Sequence, residues 1–299
     1  TALAGDEHRT LSALSDHSTL VLKGITPTVG EANLHLRRAD LLDQILERLE
    51  LAQVVVISGA AGSGKSSIAK DVIGILAPDF FTFCFRAEEF ASPHLDETLR
   101  NNGIPVNAIS LGAILAGQGR KALLVESVER LLERPTRDAF VDLLTLVEND
   151  KSWRLILTCR DYSTDLIHTA FLSRVSHSII TIPPLSDHEL DEVEATYPAL
   201  AQPLGDPKLR EVLRTPYFLD KALQIQWSDE RSLPQNECEF RNLFWRQIVG
   251  ADHRVPAGMS PRRQETLLKI ALRRAQALRA YVPCDDLAPE VLSNLQMDS

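Results

Sequence analysis

Three observations on the 299-residue sequence predict an α/β fold, a five-stranded parallel sheet followed by a purely helical region. Five short apolar runs alternate with segments of helical periodicity, as in sheets covered by helices on both faces. The first run ends in a glycine-rich turn, VVVISGAAGSGKSS from Val54 to Ser67. Beyond Pro184 no strand pattern remains, and helix-capping signals take over.

The turn carries the full G-x-x-x-x-G-K-[ST] spacing of a phosphate-binding loop. It comprises Gly59, Ala60, Ala61, Gly62, Ser63, Gly64, Lys65 and Ser66, with Ser67 beside them. Glycines let backbone N–H groups curl around phosphates, and the following helix adds the partial positive charge of its N-terminus. Lys65 is placed to reach β/γ-phosphates and Ser66 to offer a hydroxyl to Mg²⁺. The fold class is therefore that of a P-loop NTPase, with ATP/ADP and Mg²⁺ as expected ligands.

Composition narrows the class further. A net charge of −9 argues against a nucleic-acid-binding protein as a whole, because phosphate contacts depend on clustered Lys and Arg. Cys84, Cys159, Cys238 and Cys284 form no C-x-x-C pair, so neither a zinc site nor a disulfide framework is indicated. They read as small buried residues in a reducing cytoplasm. No 18-residue apolar run and no signal pattern points to membrane insertion or export. The chain opens on Thr1 rather than Met, as expected of an excised or processed piece.

Residues 1–30 read as a leader with little structure of its own. Residues 31–184 read as the nucleotide-binding domain, 185–228 as a helical lid, and 229–299 as a partial winged-helix-like helical domain. The spacing predicts a helix over 38–51, opened by Arg37 and Arg38, which serve either as solvated charges or in the nucleotide pocket. Strands are expected at 80–85, 122–125, 154–158 and 178–182 after the one that precedes the loop. Helices are expected after Ser92-Pro93, from Asn107, over 138–148, and after Ser186, Asp206 and Thr215. Helices over 236–249 and 261–280 and a short one after Pro289 complete the chain, with a break at Pro256 and Gly258.

In parallel sheets ligands sit beyond the carboxyl ends of the strands, which brings Glu126, Glu129 and Arg160 toward the loop. A carboxylate at a strand tip can support the Mg²⁺ shell. A second can orient or deprotonate water, and an arginine can stabilise γ-phosphate charge.

With these pieces in order, the sequence resembles the signal-transducing P-loop ATPases (STAND), the branch near the AAA+ proteins that includes NACHT and NB-ARC families. The likeness spans roughly residues 34–225 and rests on GAAGSGKSS, KALLVESVERLL, WRLILTCRD and RTPYFL. It implies that Glu126 and Glu129 are the two Walker B acids, with Glu126 in place of the usual Asp and one methylene longer. It also implies that Arg160 is the sensor arginine and Pro216 the lid proline near the adenine. Members are switch modules of long proteins, so effector and sensor domains of the same polypeptide, and a homo-oligomer on activation, are implied partners. A bacterial antiviral defence ATPase fits that analogy. Two alternatives stand beside it: a DNA-handling AAA+ ATPase, suggested by Arg262, Arg263, Lys269 and Arg273 on one helix, and a nucleotide-holding scaffold without turnover.

Overall fold

The computed structural model describes residues 2–227, 233–249 and 259–277. The chain divides into two compact units, Thr1–Leu185 and Ser186–Ser299.

In the first unit, helix α1 (Ala2–Lys23) is followed by α2 (Ala39–Leu51), strand β1 (Val54–Gly59) and α3 (Lys65–Leu76). Next come β2 (Phe81–Arg86), α4 (Leu95–Asn101), α5 (Ala108–Ala116) and β3 (Lys121–Glu126). The short α6 (Glu129–Leu132), α7 (Asp138–Asn149), β4 (Trp153–Arg160), α8 (Thr164–Ile167) and β5 (His177–Thr181) complete it. The strands form one parallel sheet in the order β2-β3-β4-β1-β5. Every residue of β1 is buried, as its unbroken apolar run requires of a strand covered on both sides.

Because strand side chains alternate, the two faces collect separate cores. Val54, Val56, Leu123, Val125, Leu155 and Leu157 pack with Phe83, Phe85 and helices α4, α5 and α7. Val55, Ile57, Leu124, Ile156 and Ile180 pack with Ile45 and Leu49 of α2 and Ile68 and Val72 of α3.

Residues 1–30 depart from the expected loose leader. Helix α1 lies across the edge strand β2, with Leu14 in one core and Val21 in the other. Ser18 Oγ accepts the Cys84 N–H at 2.9 Å and donates to Leu14 O at 2.6 Å, so the helix pairs an otherwise open strand edge. The buried stripe of α1 is Thr10, Leu14, Ser18 and Val21. Half of it is polar, which conceals it from a reading of hydrophobic periodicity. The expected cap at Ser92-Pro93 is also displaced: α4 begins after His94, and Ser92 O instead accepts the Ala139 N–H.

The second unit holds α9 (Asp187–Thr196), α10 (Ala201–Gly205), α11 (Pro207–Leu213), α12 (Pro216–Ala222), α13 (Glu237–Phe244) and α14 (Met259–Ala277), with no strand among the described residues. Ser186 and Glu189 form a capping box at α9, and Asp206 caps α11 through the Lys208 and Leu209 N–H groups. Arg210 bridges Asp187 and Asp191 of α9, and Phe218 and Trp227 pack on Phe240. Leu268 and Leu272 of α14 are exposed while Thr266 is buried, so the packed side of that helix is not its Leu268/Leu272 side. The break at Pro256 and Gly258 and the helix after Pro289 lie outside the described residues, as does Cys284. Cys84 and Cys159 are buried as expected, whereas Cys238 is exposed.

Candidate functional site

The loop between β1 and α3 is shaped by two glycines in the left-handed region, Gly62 at φ 77° and Gly64 at φ 92°. Side chains with a Cβ are strained there, which is why the turn needs glycine at both places. Gly64 is the residue before α3, and no side chain caps that helix. Its first-turn N–H groups thus keep the arrangement in which helix N-termini take anions. Lys65 folds back over the loop, its ammonium donating to Gly59 O at 2.8 Å and Ala60 O at 2.7 Å. Burial holds the Lys65 pKa below the usual lysine value, with Glu129 acting against that shift and Arg160 with it. Lys65, Glu129 and Arg160 therefore share one electrostatic neighbourhood.

Glu126 is the last residue of β3 and Glu129 the first of α6. The turn between them passes through Ser127 at φ 59°, a left-handed conformation that non-glycine residues adopt at a cost. Glu126 Oε1 and Glu129 Oε2 are buried and have no hydrogen-bond partner among the described residues. Arg160 Nε lies 3.6 Å from Glu129 Oε1. Arg160 ends β4 directly opposite Gly59 of β1, while Glu126 ends β3 opposite Arg86 of β2. Since β4 lies between β1 and β3, the strand order places the guanidinium between loop and carboxylates.

Two cysteines report on the same charges. Burial, and then the Glu126 charge, push the Cys84 thiol up to about 12. Burial raises Cys159 to about 11, with Glu129 adding to the shift and the Thr164 hydroxyl opposing it. Both are held as thiols, so neither is a nucleophile at neutral pH.

The remaining expected residues fall in different places. Ser63 Oγ is buried in the loop without a partner among the described residues, and Ser66 lies in the first turn of α3. Ser67 Oγ points instead to Pro27 O at 3.5 Å, in the segment that follows α1. Lys70 extends that contact with bonds to Leu22 O and Ile25 O, and His35 meets Asp71 at 2.9 Å. Arg38 forks onto the carbonyls of Pro183 and Pro184 at 2.9 and 3.1 Å, fastening the start of α2 to the chain leaving β5. Pro216 belongs to the second unit, where it is the first residue of α12. Thr158, buried two residues before Arg160 in the WRLILTCRD stretch, has no expected role of its own, yet it holds the turn between the two glutamates. Besides its place in that stretch, its mark in the sequence is a hydroxyl at the end of an apolar strand.

The family model described as Novel STAND NTPase 1 matches residues 28–204. Over 86 residues the chain is 33% identical to the putative hemin import ATP-binding protein HrtA of Staphylococcus haemolyticus (strain JCSC1435), covering 28% of this chain and 38% of that protein. The match thus spans well under half of that relative's length. Among solved structures, the Walker-type ATPase PABY2304 of Pyrococcus abyssi is 16% identical over 92% of this chain and 93% of that chain, with a TM-score of 0.47. The ORC1 protein of Aeropyrum pernix, solved in complex with DNA, is 15% identical over 87% and 77%, with a TM-score of 0.48.

Proposed function

The chain belongs to the Novel STAND NTPase 1 family, and from that premise we propose that it binds and hydrolyses ATP with Mg²⁺ as the switch module of a longer signal-transducing protein. The observation that carries this reading is the convergence of Lys65, Glu129 and Arg160 beside the loop, with two buried acidic oxygens lacking partners among the described residues. Buried carboxylate oxygens left without hydrogen bonds are costly unless a cation or water satisfies them. An all-oxygen donor set of Ser66 and Glu126 suits Mg²⁺, a hard ion that takes few protein ligands and keeps several waters. When bound, Mg²⁺ supplies positive charge that offsets the charge on the phosphates.

The chain's own residues divide the remaining work. Loop N–H groups and the α3 terminus hold the phosphates, and Lys65 exchanges its loop carbonyls for β/γ-phosphate oxygens. Glu129 orients water and accepts its proton as the water oxygen attacks the γ-phosphorus; the bond to the bridging oxygen breaks and ADP leaves. Arg160 offsets charge developing on the transferred group.

The extra methylene of Glu126 favours a second reading, a module that holds nucleotide without turning it over. Single-turnover conversion of radiolabelled ATP decides between them. ADP formation above a Lys65→Ala background supports the enzyme; nucleotide bound tightly yet unconverted would sink it. By the STAND resemblance, effector and sensor domains, homo-oligomerisation on activation, a cytoplasmic setting and a role in bacterial antiviral defence belong to the same proposal. No described helix is long and apolar enough to cross a membrane.

A further inference from the structure

We propose that Thr158 is a positioning residue for the hydrolytic glutamate: it locks the Ser127 turn and so fixes where Glu129 stands relative to Glu126 and the loop. The ladder between β3 and β4 ends at the Val125–Leu157 pair, so the backbone beyond it has to find other partners. Thr158 supplies both. Its Oγ1 accepts the Ser127 N–H at 2.8 Å, and its carbonyl accepts the Val128 N–H at 2.9 Å. The two bonds bracket the one residue of this turn in the left-handed region, Ser127 at φ 59°. Such a conformation is costly for a residue with a Cβ and persists only when its surroundings over-determine it.

Thr158 is 1% exposed, so its hydroxyl meets no competing solvent. It also stands two residues before Arg160 on the same strand. One short stretch of β4 thereby presents the cation that faces Glu129 and holds the backbone that carries Glu129. Without the Oγ1 bond, the Ser127 N–H loses its acceptor and the turn is free to relax toward an unstrained conformation. Relaxation there swings α6 and moves the Glu129 carboxylate. A misplacement of about 1 Å can cost roughly 10²-fold in rate.

The inference rests on the proposed hydrolysis by Glu129, so its test needs a readout independent of turnover. Thr158→Val keeps shape and removes the acceptor; Thr158→Ser keeps the acceptor and removes a methyl group. Hydrogen exchange of the peptide containing Glu126–Glu129 is expected to speed up in Thr158→Val and to stay parental in Thr158→Ser. Parental protection in Thr158→Val would overturn the proposal whether or not the protein hydrolyses ATP. With turnover present, Thr158→Val should bind Mg-ATP within about threefold of the parent while single-turnover hydrolysis falls roughly 10²-fold, and Thr158→Ser should recover most of it. In a Glu129→Gln background Thr158→Val should slow hydrolysis no further, because a residue acting through Glu129 has nothing left to position. Full additivity, or loss of nucleotide affinity equal to the loss of rate, would show a general structural role and overturn it. A parent that binds but never converts ATP would sink the hydrolysis reading alone, leaving the exchange result to decide the Thr158 turn.

Discussion

Gly59 and Arg160 stand opposite each other as the last paired residues of β1 and β4. Chain order separates them by a hundred residues, and one strand-to-strand step brings Arg160 to the root of the phosphate loop. Arg160→Ala is expected to leave Mg-ATP affinity within about threefold and to slow single-turnover hydrolysis roughly 10²-fold, as when one preorganised donor to developing charge is removed. Rapid-quench measurement checks this; a parental rate would remove Arg160 from the mechanism.

Lys65→Ala should weaken Mg-ATP binding by at least about tenfold, since it removes the side-chain cation expected at the β/γ-phosphates. In the structure its ammonium donates to the loop carbonyls of Gly59 and Ala60, bonds that bound phosphate would replace. Calorimetric titration with unchanged affinity would refute that placement.

For the two acids the expected outcomes diverge. Glu129→Gln should retain Mg-ATP and lose roughly 10²-fold or more in turnover, because an amide cannot take the proton. Glu126→Gln should instead reduce the Mg²⁺ dependence of binding. Glu126→Asp, which restores the shorter acid usual in the resembled family, is expected to hydrolyse at least as fast as the parent. Titrating Mg²⁺ at fixed nucleotide separates the roles, and a parental rate in Glu129→Gln would make it a bystander.

At the opposite end of the sheet, Lys121 is 1% exposed and pairs with Asp150 at 2.7 Å while donating to Leu115 O. Burial would raise the Asp150 pKa, but the bonds from Lys121 and Ser152 prevail and hold it at about 2, below the usual carboxylate range. A carboxylate depressed on folding adds stability that is present above its unfolded pKa and lost as pH falls through its folded one. Urea midpoints should therefore drop between about pH 4 and pH 2, and less steeply in Asp150→Asn than in the parent. At neutral pH, Asp150→Asn should lower the urea midpoint, because it leaves the Lys121 ammonium buried without its counter-charge. An equal pH slope in both proteins would show that this pair contributes nothing to the linkage.

Helix α1 is expected to be integral to the sheet unit. Leu14→Ala should lower stability by about 2–4 kcal/mol, the usual result of truncating a buried leucine. Ser18→Ala should cost about 1–3 kcal/mol by leaving the Cys84 N–H unpaired. Chemical denaturation checks both; losses under about 0.5 kcal/mol, typical of surface positions, would mean that α1 is a loosely attached arm.

The sequence by itself determined the alternation of five strands with helices, the loop from Gly59 to Ser67 and the carboxylates at the end of β3. These are local signals: apolar runs, glycine spacing and the chemistry of adjacent residues. Even Ser186 and Asp206 declared their helix starts, because a cap bonds residues two or three positions away. Tertiary structure alone decided that Arg160 lies between loop and acids, because that follows from β4 inserting beside β1 rather than from any spacing. It likewise decided that α1 closes the β2 edge, through Ser18 meeting Cys84, and that Arg38 reaches Pro183 and Pro184. Thr158 belongs with these: its hydroxyl became a turn clamp only when strand pairing ended one residue short of the backbone it had to hold. A buried hydrogen bond between residues distant in sequence leaves no periodicity behind. The residue type records that a polar group is present, and only the fold shows which partner satisfies it.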